Sequence, residues 1–325
     1  MTRPDPTADK TLLITGAAGN LGSRLAVHLL KSSHRLRLMI HRTRLPADLA
    51  SADTVEVVRA DLAQPATLID AVAGVDVVVH FAGKLFFPNP ERFLPETNTK
   101  WFSNLTDAAL KAGVGRLVLI SFPHVEGPTS PEQPATGRVD RQPFSVHART
   151  RLAEERLLLE RSEGTDTTPV ILRLGMVYGP GILMIEAARW LAKRRMLAVW
   201  SEPTWYHMLS TIDYLRATEA AVLRPGIRGI YHVGDQVPVT LQEFLDRACD
   251  AWNTPRPWRV PVWTVYAAAQ VCEWYARLFG APSPLTKDFI TIGRMSHFGD
   301  TARMRAELLS QLVHPSLETG IATLR

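Results

Sequence analysis

The stretch Thr15-Gly16-Ala17-Ala18-Gly19-Asn20-Leu21-Gly22 decides how the rest of the chain is read. An apolar run, Thr11–Ile14, leads into it, and an amphipathic pattern, Leu21–Leu30, leads out. The glycines therefore sit on a strand-to-helix turn. Gly16 permits the tight turn, Gly19 lets the backbone approach a pyrophosphate, and Gly22 lets helix pack closely on strand. The free N–H groups opening the helix offer positive partial charge to phosphates. Ala18, Asn20 and Leu21 fill the same turn, so a nucleotide is expected along Gly16–Gly22.

Working outward, strands are expected at Leu36–Ile40, Val55–Arg59, Val75–His80, Leu117–Ser121 and Val170–Leu174. Helices are expected at Leu68–Val72, Trp101–Ala112 and His147–Glu160. This alternation predicts an α/β fold with a doubly wound parallel Rossmann sheet. After Gly175 the rhythm breaks. A helix at Met184–Lys193, a short apolar segment at Met196–Trp200, a helix at Asp213–Leu223, a strand at Ile230–Val233 and a helix at Leu241–Trp252 follow. The expected organisation is a loose tail over 1–10, a dinucleotide-binding domain over 11–178 and 211–236, and a smaller, mostly helical substrate-binding cap over 179–210 and 237–325. The Pro/Gly-rich segment Pro123–Pro143 reads as a lid.

Of 325 residues, 46% are hydrophobic and 21% charged, an ordinary globular composition. Two cysteines, Cys249 and Cys272, exclude a disulfide framework and a four-cysteine zinc site. No metal is expected, and a reducing cytoplasm is the natural compartment. The net charge of +5 rests on seven lysines and 30 arginines that are scattered rather than clustered, so nucleic acid is not an expected partner. No stretch reads as a transmembrane span. The segment Val260–Phe279 carries Gln270, Glu273 and Arg277 three and four apart, as an amphipathic helix does. Its aromatics, Trp263, Tyr266, Trp274 and Tyr275, also suit a membrane surface.

The spacing Gly-x-x-Gly-x-x-Gly resembles that of the short-chain dehydrogenase/reductase superfamily. Further segments resemble its extended branch: Asp61-Leu62, His80-Phe81-Ala82-Gly83, Asn98-Thr99, Arg173-Leu174-Gly175-Met176-Val177-Tyr178-Gly179-Pro180-Gly181, Ile212-Asp213 and Tyr231-His232-Val233-Gly234. The closing pattern, Leu285-Thr286 through Gly299-Asp300-Thr301-Ala302-Arg303, is most similar to 3β-hydroxysteroid dehydrogenases and dihydroflavonol reductases, in the NAD(P)-dependent epimerase/dehydratase group. The resemblance implies cofactor contacts from Asp61, Leu62, Phe81, Ala82, Gly83, Asn98, Ser121, Arg151, Leu174 and Met176. It also implies a homodimer through the helices at Trp101–Ala112 and His147–Glu160.

A cofactor with a free ribose 2′-hydroxyl meets an Asp or Glu about twenty residues beyond the glycines. Here the second strand ends Met39-Ile40-His41-Arg42, without a carboxylate. Arg42, with His41 and Arg44 beside it, suits a 2′-phosphate. NADP(H) is expected over NAD(H).

The catalytic positions depart from the family pattern of Ser or Thr, Tyr and Lys. Aligned on Thr150-Arg151-Leu152-Ala153-Glu154, His147 takes the Tyr position and Arg151 the Lys position. Aligned on Val125 and Gly127, Phe122 takes the Ser/Thr position. His147 and Arg151 share one helix face. The Arg151 charge favours a neutral His147 imidazole, able to act as a base or as a donor to a carbonyl oxygen. Tyr178, Lys84, His124 and Tyr206 are further acid–base candidates. Lys84, Phe86, Phe122, His124, Tyr178, Trp205 and Tyr206 are the expected substrate contacts, and their character points to a hydrophobic hydroxy or keto compound. An NADP(H)-dependent oxidoreductase is the first reading. A redox-neutral isomerase, dehydratase, cyclase or lyase using His147 is the second, and a non-catalytic NADP(H)-binding sensor or assembly factor the third.

Overall fold

The computed structural model describes residues 9–83, 89–281, 283 and 285–325. Lys84 and Phe86 lie outside the described residues.

Seven parallel strands form the central sheet: β1 (Thr11–Thr15), β2 (Arg35–Ile40), β3 (Val55–Arg59), β4 (Val77–His80), β5 (Arg116–Ser121), β6 (Thr168–Leu174) and β11 (Gly229–Val233). Their order is β11-β6-β5-β4-β1-β2-β3. The order reverses between β1 and β4, so the strand C-termini open a crevice there, beside the glycine turn. Alternate residues of β1 serve opposite faces. Leu12 and Ile14 join one core with α1 (Asn20–Leu29), and Leu13 joins the other with Leu68, Phe102 and Leu158. Those three residues come from α3 (Pro65–Val72), α4 (Trp101–Lys111) and α5 (Val146–Ser162), while α2 (Ala47–Ala50) is a single turn before β3.

Beyond β6 the chain forms β7 (Met176–Tyr178), α6 (Leu183–Lys193), β8 (Ala198–Trp200), β9 (Trp205–Tyr206), β10 (Met208–Ser210) and α7 (Thr211–Leu223). After β11 come β12 (Val239–Thr240), α8 (Leu241–Ala251), β13 (Trp258–Val260), α9 (Val262–Phe279), α10 (Lys287–Gly293) and α11 (Leu317–Gly320). The strand pairs β10–β7, β12–β9 and β13–β8 were not expected from sequence. Two or three residues are too few to show a period of two. The first core runs from Leu12 and Ile14 through Leu197, Trp200 and Phe244 to Leu324, so sheet and expected cap share one apolar interior.

The Pro/Gly-rich segment is tied down. Ala135 N–H donates to the Phe298 carbonyl, and the Asp300 N–H donates to the Ala135 carbonyl, each at 2.8 Å. Gly137 and Thr136 N–H groups donate to the Glu126 carboxylate at 2.7 and 3.3 Å. These bonds fasten the expected lid to the C-terminal segment and to the end of β5.

Among the described residues, no helix is long and apolar enough to cross a membrane.

Candidate active site

The glycine turn has the geometry that its sequence demands. Gly16 adopts φ +66°, and a Cβ there would lie 2.8 Å from the Ala82 amide nitrogen. A Cβ on Gly22 would lie 2.4 Å from the Gly16 carbonyl oxygen. Gly19 caps α1 without a side-chain hydrogen bond, and the first turn holds no acid. The turn is braced from outside: the Tyr214 hydroxyl donates to the Leu21 carbonyl at 3.0 Å, and Asn20 Nδ2 donates to the Gly181 carbonyl at 2.9 Å. Ala18 is half-buried in the same turn.

Opposite the turn, a Cβ on Gly83 would lie 3.3 Å from Arg151 Nη2 and 3.9 Å from Asn98 Oδ1. Asn98 is held by its Nδ2, which donates to Thr150 Oγ1 at 3.2 Å, and its buried Oδ1 has no partner among the described residues. Gly83 thus leaves a slot edged by a guanidinium and an unused amide oxygen. Turn, slot, half-buried Phe81 and Ala82, and Leu174 and Met176 at the β6–β7 junction fit a dinucleotide. Leu62 is buried, and its carbonyl accepts from Asn104 Nδ2 at 2.8 Å. His41 Nε2 lies 3.5 Å from Asp61 Oδ2. Arg42 and Arg44 are exposed, and neither makes an ion pair among the described residues.

Ser121 points at α5, where its hydroxyl donates to Glu155 Oε1 at 2.5 Å. Its oxygen is engaged in the interior, which weakens the expectation that it contacts cofactor.

The centre of the site is a pair that sequence spacing does not reveal. His147 Nδ1 hydrogen-bonds Asp288 Oδ2 on α10, 141 residues away. A carboxylate only accepts, so Nδ1 carries the hydrogen and Nε2 is the nitrogen left to face a substrate. Nε2 is buried and has no partner among the described residues. Ser145, the N-cap of α5, also donates to Asp288 Oδ2, at 3.3 Å. Arg151 does share the His147 face of α5, yet its Nη1 is taken by Glu154 Oε2 at 2.5 Å. Burial pushes the Glu154 carboxyl up to about 7, against the pull of Arg151. The expected influence of the Arg151 charge on His147 thus meets two carboxylates, Asp288 on His147 itself and Glu154 on Arg151.

Four rings meet edge-on or tilted in a row, Phe122 half-buried and the other three buried. Phe122 meets His124 with centroids 5.4 Å apart, His124 meets His297 at 4.1 Å, and His297 meets Tyr206 at 4.5 Å. Burial pushes the His124 imidazole down to about 3 and His297 well below its usual value, so both are neutral. The row joins three expected substrate contacts through His297, which sequence reasoning missed. Tyr206 donates to the Gly293 carbonyl at 2.6 Å, and burial holds its hydroxyl well above the usual range. It is a wall, not an acid. On β9 adjacent side chains face opposite ways, and Trp205, 37% exposed, lies apart from the row.

Tyr178 departs from expectation. It is fully buried against Phe244, and a Cβ on Gly320 would strike its hydroxyl. Burial, then the nearby Asp235 and Asp213, pushes that hydroxyl far above its ordinary value. Packing from α8 and the C-terminal segment holds it in the interior, which counts against the expected acid–base and substrate roles. Asp235 itself has two buried carboxylate oxygens without side-chain partners among the described residues, and burial, only partly offset by nearby backbone N–H groups, pushes it up to about 8. Its unfolded value is near 3.8, so the folded state holds this proton more tightly and loses stability as pH rises from about 4 to about 8. Asp235→Asn is expected to raise the urea midpoint at pH 8 and to flatten that pH dependence, read by fluorescence-monitored unfolding.

The solved structure of MoeE5 in complex with UDP-glucose and NAD superposes with a TM-score of 0.74 at 22% identity, over 98% of this chain and 97% of that one. The likeness is one of fold. Among curated proteins, a 2-alkyl-3-oxoalkanoate reductase of Stenotrophomonas maltophilia is 29% identical over 296 residues, covering 85% of this chain and 87% of that protein. A uronate dehydrogenase of Pseudomonas syringae is 28% identical over 70% of this chain and 76% of its own length. Both names describe oxidoreductases, and they support an enzyme of the short-chain dehydrogenase/reductase kind. The family match spans residues 12–223, from β1 through the glycine turn and α5 to the end of α7, and the chain belongs to the NAD dependent epimerase/dehydratase family.

Proposed function

We propose that the protein is an NADP(H)-dependent oxidoreductase of a hydrophobic hydroxy or keto compound, in which His147 exchanges the proton at the substrate oxygen. The observation that carries this reading is the His147–Asp288 pair at the family's tyrosine position, with Nε2 buried and unused. When bound, the nicotinamide supplies or accepts the hydride at the substrate carbon. His147 Nε2 takes the hydroxyl proton in the oxidative direction and returns it in the reductive one. Asp288 holds the tautomer and balances the imidazolium that forms. Arg151 cannot titrate, so its work beside Gly83 is to bind and orient the cofactor.

Phe122, His124, His297 and Tyr206 supply a largely apolar wall with neutral imidazole edges. The oxoalkanoate substrate named for the Stenotrophomonas relative suits such a wall. A long-chain 3-oxo acid or its 3-hydroxy form is the substrate class proposed. Arg42, unpaired at the end of β2, supports a 2′-phosphate reader.

The test is nucleotide oxidation with 3-oxo acids of increasing chain length, NADPH and NADH side by side. One NADPH consumed per ketone reduced, with kcat/KM rising with chain length, is expected. Substrate loss without nucleotide consumption overturns the reading in favour of redox-neutral chemistry. In the same assay Arg42→Ala is expected to raise the NADPH KM by about 10- to 100-fold, the loss of one charge-assisted bond, and to spare NADH. An unchanged NADPH KM removes Arg42 from that role.

A further inference from the structure

Helix α9 is built inside out. The residues it turns to the body are Ala269, Glu273 and Ala276. The residues it turns to solvent are Trp263, Val271, Trp274, Tyr275, Leu278 and Phe279, between 59% and 68% exposed. At roughly 100° per residue these six occupy about half of the helix circumference. A helix folded only to roof a pocket would bury this stripe.

The exposed charge on α9 itself is positive. The only acid on α9, Glu273, is buried, where it accepts from the Lys287 N–H at 2.8 Å and from Arg277 at 3.4 Å. Arg277 is the only cation on α9, and it is exposed. Through Pro261, α9 continues from β13, which pairs with β8. There Trp258, 66% exposed, donates its indole N–H to the Arg195 carbonyl at 3.0 Å. Arg195 belongs to the exposed run Lys193-Arg194-Arg195-Met196, and the Arg194 guanidinium lies 3.9 Å over the Trp190 ring. The nearest acids on α8, Asp246 and Asp250, are each paired with an arginine, Arg259 and Arg256.

We propose that the outer face of α9, with Trp258 and the Lys193–Met196 turn, seats the protein on an anionic membrane surface. Aromatic rings edged by cations suit the boundary between headgroup and acyl chain, and the cations meet lipid phosphates. A second copy fits the charge pattern less well, since an isologous contact would bring Arg277 and the Lys193–Arg195 run of both copies into one interface. The surface adjoins the candidate active site: Tyr266 of α9 hydrogen-bonds Thr291 of α10 at 3.2 Å, and α10 carries Asp288. Bilayer contact would bring a lipophilic substrate to that roof, yet the binding itself does not depend on the reaction proposed above.

The test is flotation of the full chain with phosphatidylcholine vesicles, with and without about one-third phosphatidylglycerol. Flotation with the anionic vesicles only, weakened by salt and accompanied by a blue shift of tryptophan emission, is expected. Trp274→Ser combined with Leu278→Gln, and separately Arg194→Glu combined with Arg195→Glu, should each weaken binding by about tenfold or more. Both variants should keep the wild-type circular dichroism and NADPH binding. No flotation, equal flotation with neutral vesicles, or flotation undiminished in both variants overturns the proposal. So does a wild-type dimer in sedimentation that becomes a monomer in the Trp274/Leu278 variant, which would make this face an interface between copies.

Discussion

Replacing His147 by alanine is expected to lower kcat by about 100- to 10,000-fold, the usual worth of a positioned acid–base group. NADPH affinity, measured by calorimetry, should stay within about twofold, because the cofactor slot is edged by Arg151 and Asn98 and not by His147. Asp288→Asn separates positioning from chemistry. An amide can still touch Nδ1, but it presents an N–H as well as an oxygen and carries no charge to balance an imidazolium. Its kcat should fall with KM little changed, and the pH profile should shift with it. If His147→Ala keeps full turnover, the proton passes through another group and the proposed role of the pair fails. Loss of NADPH binding along with activity would instead mark His147 as part of the cofactor site.

The part of this site that was legible in sequence is the part built from neighbours in the chain. Gly16, Gly19 and Gly22 lie within one turn, and each must lack a side chain for a reason visible in their spacing. His147 and Arg151 lie one helical turn apart, so their shared face was legible as well. Asp288 and His297 were not. Each meets its partner only because α10 and the segment after it fold back over α5 and β9, and no local period encodes that return. Tyr178 misled for a related reason. It stands in a run that resembles the family motif, and what removes it from solvent, Phe244 and Gly320, comes from later segments. Trp205 and Tyr206 show the limit of composition: a two-residue strand sends one ring to the buried row and the other out.

The largest stability effect is expected at Arg173, a residue that entered the sequence reading only as the first letter of a motif. It is fully buried on β6. Its Nη1 meets Glu126, its Nε and Nη2 grip Glu155 at 2.5–3.2 Å, and Nη2 also donates to the Arg138 carbonyl at 2.9 Å. One guanidinium thus stands between two buried carboxylates, one in the turn Pro123–Glu126 after β5 and one on α5. Burial alone would raise the Glu126 carboxyl; the His232 hydrogen bond and the Arg173 charge outweigh it and hold that carboxyl below its usual range. Its contribution to stability is therefore present above the ordinary value of 4.5 and is lost as pH falls through the lower folded value. Arg173→Met leaves both carboxylates without their cation and should cost about 3–5 kcal/mol, read from urea unfolding at pH 7, or abolish folding. Arg173→Lys keeps the charge but not the fork, and should fall between. The decisive variant joins Arg173→Met to Glu126→Gln and Glu155→Gln. With the guanidinium and both carboxylates removed together, and only His232 left of the network, most of the lost stability should return. If it does not, the network's worth lies in its hydrogen bonds to the 136–138 segment and not in its charges. Activity should follow a different course in that triple variant. Glu155 ties α5 to β5 and β6 through Ser121 and Arg173, and Glu126 ties the Thr136–Gly137 backbone to the same arginine. The Glu155 tie therefore sets where His147 stands, and a triple variant that folds well should still turn over slowly.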